Sequence, residues 1–253
     1  MRLDFRPQSP TLTRLAGLTL LCALAGSAGH AQGLVTLQGI KSATVAPSGL
    51  AFASLGLSSR RAGFGDFFDN PDGSLVLGFG LGNARDTVGV QVAANITSLT
   101  DAFGDSGNLS VKFSRQVSTA EVPVFIGLSF DRLAPWGDGR LADPSTTFAV
   151  TAFPMASLGG RSYPMMVTVG YGTHIEDRRR QPGVFVGAGM GLTENFGASI
   201  AWTGESVTVG SAFKFDGLDN FRFSASIDDA LNQVDGQRLT VSATYIFDNL
   251  FGG

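Results

Sequence analysis

The chain has 253 residues, one cysteine and a formal net charge of −3. An acidic chain lacks the basic surface that neutralises phosphates, so nucleic acid is excluded as a partner. A single cysteine excludes a disulfide framework, and the length suits one β-domain.

Residues 1–31 have the features of a cleavable secretory signal peptide. Three arginines precede a short apolar stretch, and Gly29 and Ala31 supply the small residues of a cleavage site. The sequence predicts cleavage after Ala31, which removes Cys22 and leaves 15 basic and 20 acidic residues. No later apolar run approaches the length of a transmembrane helix, so we expect none.

Residues 32–48, with the sequence QGLVTLQGIKSATVAPS, precede the main domain at 49–253. They fit three interpretations: a periplasmic leader, a plug folded back inside the domain, or additional strands. The sequence leaves these alternatives open.

From residue 49 onward, apolar residues alternate with small or polar ones. In Ser74–Ile96 one alternate series is aliphatic, and the other is mainly glycine and polar residues. A period of two predicts β-strands with two chemically different faces. Twelve strands and few helices are predicted, at residues 49–57, 73–82, 86–97, 107–116, 121–130, 146–153, 162–173, 183–192, 195–203, 205–215, 220–228 and 237–247.

The connections alternate between short and long, apart from the tight turn at 203–206. Strands of ~9–11 residues can cross a bilayer at a tilt. Together these features are typical of the barrels of the bacterial outer membrane, with short turns on the periplasmic side. We therefore predict an all-β, closed, antiparallel up-and-down transmembrane β-barrel of about twelve strands.

Aromatic residues of the apolar face fall near the ends of the predicted strands, and aliphatic residues lie between them. Two lipid–water interfaces select this arrangement, whereas a soluble sandwich would place aromatics in mid-strand. The predicted aromatic girdle contains Tyr163, Phe196, Trp202, Phe213, Phe215, Phe221, Phe223, Tyr245 and Phe247.

The segment Thr240–Phe247, TVSATYIF, resembles the C-terminal insertion signal of outer-membrane β-barrel proteins. Thr240, Tyr245 and Phe247 match the pattern, whereas Ser242 replaces the usual glycine and six residues follow. The tract 201–247 is also similar in spacing to the tail hairpins of YjbH-type exopolysaccharide-associated barrels. The resemblance implies an outer-membrane location, insertion by the barrel-assembly machinery and contact with outer-membrane lipid.

Four basic residues face the predicted interior, and charges that line a lumen tune which ions pass. One hypothesis is a channel that prefers anions. The alternative is a set of salt bridges to Asp131 or Asp228 that stiffen the wall. The four residues are Lys112, Lys214, Arg222 and Arg238.

Three predicted outer loops contain an aromatic–Gly–Asp tripeptide, ending at Asp66, Asp105 and Asp138. Several carboxylates on one rim could bind a hard cation such as Ca²⁺. The favoured interpretation is an interfacial aromatic followed by a turn-forming Gly-Asp pair. No metal or other cofactor is therefore predicted.

His174 is the only histidine after residue 31, with Glu176 and Asp177 beside it. A barrel enzyme acting on lipid would need such a base, but no nucleophile is identifiable, so a solvated loop histidine is favoured. The neighbouring run 178–180 is all arginine and could pair with lipopolysaccharide phosphates, or be a plain solvated charge run.

These features predict a non-enzymatic envelope protein in the cell outer membrane. It would be a small passive channel for small solutes, or a structural or export-accessory barrel for an exported polysaccharide. The alternatives are a soluble exported β-sandwich that binds a ligand or partner, and a barrel enzyme acting on lipid.

Overall fold

A computed structural model of the chain describes residues 34–60, 68, 71–97, 99, 103–119, 121–234 and 236–248. The predicted signal peptide and Asp66 lie outside the described residues. Within these ranges, no helix is long and apolar enough to cross a membrane.

Strands make up most of the described residues, and one short 3-10 helix, Gly137–Leu141, follows the fifth strand. The strands are β1 (Ala51–Ser58), β2 (Asp72–Gly82), β3 (Gly89–Ile96), β4 (Gly107–Ser118), β5 (Val124–Trp136), β6 (Ser145–Ala152), β7 (Met155–Leu158), β8 (Arg161–Glu176), β9 (Gln181–Gly191), β10 (Phe196–Trp202), β11 (Val207–Phe213), β12 (Phe221–Asp228) and β13 (Arg238–Phe247).

Strands that follow one another in the chain pair antiparallel, and two further pairings close the sheet. β1 pairs with β13, so that Ala51 lies opposite Phe247. β6 pairs with β8, and the short β7 pairs only with β8, outside the ring. The prediction of a closed antiparallel barrel of about twelve strands is confirmed.

The two faces of the wall have opposite chemistry. In β8, Thr168 has no exposed surface, whereas its neighbour Val169 is 52% exposed. The same holds in β10, where Ser199 is 7% and Ile200 is 56% exposed. The aliphatic series therefore faces outward and the small or polar series faces inward, which is the reverse of a soluble β-sandwich.

The connections define two ends of the barrel. The short-turn end holds the connections after β2, β4, β6, β9 and β11, and also the start of β1 and the end of β13. The long-loop end holds the connections after β1, β3, β5, β8, β10 and β12.

The sequence predicts strands at 162–173 and 183–192 with a long loop at 174–182 between them, and the structure shows that this loop prediction is wrong. β8 continues to Glu176 and β9 begins at Gln181, so the strands extend as a hairpin with a turn at 177–180. Asp177, Arg178 and Arg179 adopt φ values of 48°, 55° and 62° in this turn. The turn lacks the usual glycine and asparagine signals, which is why the sequence did not reveal it.

The connector at 154–162 contains strand β7, which the sequence analysis missed. β7 forms a hairpin with the start of β8 around Gly159 and Gly160, whose φ values are 59° and 76°. Positive φ at both turn residues is the geometry for which Gly-Gly is favoured in two-residue hairpins. This signal was present in the sequence.

Candidate functional site

The lumen is the candidate functional site, and hydroxyl groups dominate its wall. Twelve strands spaced ~4.8 Å apart and tilted by about 40° enclose a ring roughly 24 Å across, wider than serine and threonine can fill. Many wall hydroxyls bond to one another, as between Thr151 and Thr168 at 2.7 Å. The buried wall hydroxyls belong to Ser54, Ser58, Ser114, Ser129, Ser145, Thr147, Thr151, Thr168, Ser199, Thr208, Ser224, Ser226, Thr240, Ser242 and Thr244.

Residues 34–48, the luminal segment, run through this space as a re-entrant loop. At the short-turn end, Leu34 N donates to Thr193 O at 3.0 Å. Gly39, with φ 85°, then packs against Thr208, the second residue of β11 at the long-loop end. The chain returns to the short-turn end, where Ser48 forms a bridge with Gly80.

Wall side chains accept hydrogen bonds from the backbone of the luminal segment. Gln38 N donates to Ser199 Oγ at 3.2 Å, and Ala43 N donates to Thr151 Oγ1 at 2.8 Å. Ala46 N donates to Gln91 Oε1 at 2.9 Å. Buried N–H groups need such partners, and here three different strands supply them.

Apolar side chains of the luminal segment form the core of the barrel. Leu37 is 1% and Ile40 is 5% exposed, and Ala43 has no exposed surface. They belong to one buried cluster together with the wall residues Ala149, Met166, Phe185 and Ala201. Burial of a leucine or isoleucine stabilises this packing by about 1.5–3 kcal/mol each.

Glycines shape the wall around the luminal segment. A Cβ at Gly127 would lie 2.7 Å from Ala43 Cα, and one at Gly189 would lie 1.6 Å from Thr36 O. Only the absence of a side chain allows the two backbones to approach so closely. The wall glycines that contact the segment are Gly80, Gly89, Gly127, Gly187, Gly189, Gly197 and Gly210.

Two lysines hold the middle of the luminal segment. Lys112 of β4 is 5% exposed, and its Nζ donates to Ser42 O and Thr44 O, each at 3.0 Å. Lys41 of the segment forms a salt bridge with Asp131 of β5. Asp131 was one predicted salt-bridge partner for the wall cations, but its partner here is a lysine that the sequence analysis did not single out.

The other three predicted lumen cations lie at the two ends of the barrel, away from Lys112. Arg238 binds Asp228 at 2.8 Å at the long-loop end. Arg222 donates to the backbone oxygens of Asp219 and Phe221 at the short-turn end. Lys214 follows β11 at that same end.

The acidic rim residues are divided between two loops. Asp105 lies between β3 and β4, and Asp138 lies in the 3-10 helix. Trp136 Nε1 donates to Gly104 O at 3.0 Å and so joins the two loops. Within the described part of the chain, no group of three His, Cys, Asp or Glu side chains could hold a metal ion.

Six of the predicted girdle residues form a continuous chain of ring contacts at the short-turn end. Phe213 stacks on Phe223 at 5.8 Å, and Tyr245 contacts Phe247 at 4.6 Å. Phe215 and Phe221 complete the chain. Phe196 begins β10, Tyr163 lies near the start of β8 opposite Ala156 of β7, and Trp202 ends β10 at the long-loop end.

In the C-terminal strand, residues of the predicted insertion signal alternate between the faces. Thr240 and Ser242 are buried in the lumen, and Ser242 Oγ lies 2.6 Å from Ser224 Oγ. Tyr245 belongs to the aromatic chain outside. The insertion role itself stays a prediction.

His174 lies in β8, rather than in a loop. Its Nδ1 lies 2.9 Å from Thr173 Oγ1. Glu176 packs against the Gly183 backbone on the neighbouring strand. The structure therefore gives His174 a hydroxyl neighbour on its own strand.

No protein-family model matches the chain, and no curated protein matches it. Among solved structures, the KdgM porin in complex with disordered oligogalacturonate is similar, with a TM-score of 0.51 and 10% identity over 78% of this chain and 99% of the porin. An outer-membrane channel from Pseudomonas putida F1 has a TM-score of 0.44 and 11% identity over 83% and 99% of the two chains. Omp33 of Acinetobacter baumannii has a TM-score of 0.45 and 11% identity over 79% and 98%.

At this level of identity, likeness extends to the fold alone. The fold statement rests on the KdgM porin, whose TM-score exceeds 0.5. The chain shares with that porin a closed antiparallel β-barrel architecture.

Proposed function

We propose that this protein is a small passive channel of the outer membrane for small polar solutes. The observation that carries the proposal is that the barrel wall has an aliphatic outer face and a hydroxyl-rich inner face. An aliphatic band bounded by aromatic rings suits a lipid bilayer, and a hydroxyl-lined lumen suits water and dissolved solutes.

The remaining features fit this role as proposals. Signal-peptide cleavage after Ala31 and recognition of Thr240–Phe247 by the barrel-assembly machinery would deliver the chain to the outer membrane. Lipid and lipopolysaccharide would then surround the aliphatic band. An enzymatic role on lipid has a weaker basis, because the hydroxyl near His174 belongs to the adjacent Thr173, and among the described residues no carboxylate is hydrogen-bonded to the imidazole to orient it.

Two experiments test the proposal. The protein extracted from outer membranes should migrate differently in SDS gels before and after boiling, because closed barrels resist unfolding by the detergent. Purified protein in planar bilayers, intact or lacking residues 34–48, should produce single-channel current steps. If both forms insert and neither conducts, the channel function is wrong.

A further inference from the structure

The luminal segment enters and leaves the barrel through the same mouth. Leu34 contacts the β9–β10 turn, and Ser48 pairs with Gly80 of β2, both at the short-turn end. Gly49, with φ 80°, follows directly and leads into β1. A loop with both ends at one mouth can withdraw through that mouth without threading through the barrel.

The barrel wall does not depend on the luminal segment for its backbone hydrogen bonds. Each of the twelve ring strands already pairs with two neighbours. The segment's interior N–H groups use wall side chains instead, through Ser199, Thr151 and Gln91. Withdrawal would therefore break side-chain contacts and leave the strand ladder intact.

Charged side chains bind the middle residues of the luminal segment to the wall. Lys112 donates to two of its carbonyl oxygens, and Lys41 pairs with Asp131 on the wall. Both contacts are polar, so water that enters the lumen can offset part of the cost of breaking them. Lys41 would leave with the segment, whereas Lys112 and Asp131 would stay on the wall.

We propose that residues 34–48 are a releasable plug that closes this channel, withdrawn toward the short-turn end about a pivot at Gly49. The inference rests on the proposed channel function. The wall glycines match the path of this segment, so the lumen is shaped for this occupant in particular. Its apolar residues pack on the wall and exclude water from the centre of the lumen.

Single-channel recording of three proteins tests the plug. They are the intact chain, a variant lacking residues 34–48, and one in which a Gly-Ser sequence of equal length replaces 34–48. Unboiled migration in SDS gels verifies that each is folded. A matched control carries Gly-Ser at 155–158, the exposed strand outside the ring.

We expect the open probability of both plug variants to exceed that of the intact chain by about tenfold or more, which corresponds to a shift of about 1.4 kcal/mol. The control should behave as the intact chain. Equal open probabilities for the intact chain and both variants would overturn the plug proposal but would not contradict the channel function. Silence of all inserted proteins would overturn the channel function itself.

If removal of the luminal segment prevents folding, the same recording is made on the single substitution Gly127→Ala. This variant keeps every residue of the plug and adds one methyl group at its contact with Ala43. Its open probability must rise above that of the intact chain. An unchanged open probability would overturn the plug.

Discussion

Replacement of Gly127 by alanine adds one methyl group to the inner wall, directed at the luminal segment. The new Cβ would lie 2.7 Å from Ala43 Cα and 2.8 Å from Ala43 O, both backbone atoms that cannot rotate away. Ordinary contact at 3.4 Å requires the segment to retreat by about 0.7 Å. The 2.8 Å hydrogen bond from Ala43 N to Thr151 Oγ1 would then stretch to about 3.5 Å, the limit for such a bond.

Overpacking of this kind costs about 1–3 kcal/mol, and the cost falls only on the state with the segment inside the lumen. The ratio of released to bound segment should therefore rise about 5- to 150-fold. Trypsin reports this ratio, because it can cleave after Lys41 only when the segment has left the barrel. Mass spectrometry of the fragment ending at Lys41 gives the cleavage rate, which follows the released population.

The matched control is Gly172→Ala, an inward glycine on β8. A Cβ at this position would meet Ile175 Cδ1 at 3.0 Å and Thr147 Oγ1 at 3.1 Å, which are side-chain atoms of the wall and not backbone atoms of the luminal segment. Its cleavage rate after Lys41 should equal that of the unchanged protein. Equal rates for Gly127→Ala and Gly172→Ala, with both variants folded, would refute the reasoning.

Three further substitutions test the charges and the histidine. Lys112→Met removes two hydrogen bonds from a charged donor, worth about 1.5–3 kcal/mol each, so tryptic release of the luminal segment should rise, and an unchanged rate would contradict its holding role. In the variant lacking 34–48, Asp131→Asn leaves Lys112 without its nearby carboxylate, so the reversal potential measured in a salt gradient should move toward the equilibrium potential of the anion. A move toward the equilibrium potential of the cation would contradict this placement of charge. His174→Ala should leave conduction unchanged and stability within about 0.5 kcal/mol, whereas loss of a measured lipid hydrolysis would restore the enzyme alternative.

The barrel wall was predictable because aliphatic residues alternate with small or polar residues along most of its strands. In Ser74–Ile96 the aliphatic series and the glycine-rich series assign the outward and inward positions without any tertiary information. Strand ends were less predictable. The extension of β8 to Glu176 depends on residues with positive φ that carry no glycine or asparagine signal.

The lumen could be predicted only in outline. Lys112 was expected to face inward, but its partners are the carbonyl oxygens of residues 42 and 44, which carry no sequence signature. The path of the luminal segment depends on contacts such as Gln38 with Ser199, 161 positions apart. A segment of fifteen residues without strong periodicity can follow many paths, and its contacts with the barrel wall determine which path it takes.

The aliphatic face of the barrel should contact lipid hydrocarbon. Trp202 lies on that face, 37% exposed at the end of β10, and Trp136→Phe makes it the single tryptophan. In proteoliposomes made with brominated phospholipids, the fluorescence of Trp202 should be quenched strongly. A tryptophan placed instead at Leu218, in the exposed β11–β12 turn, should be quenched much less. Equal, weak quenching at both positions would contradict the claim.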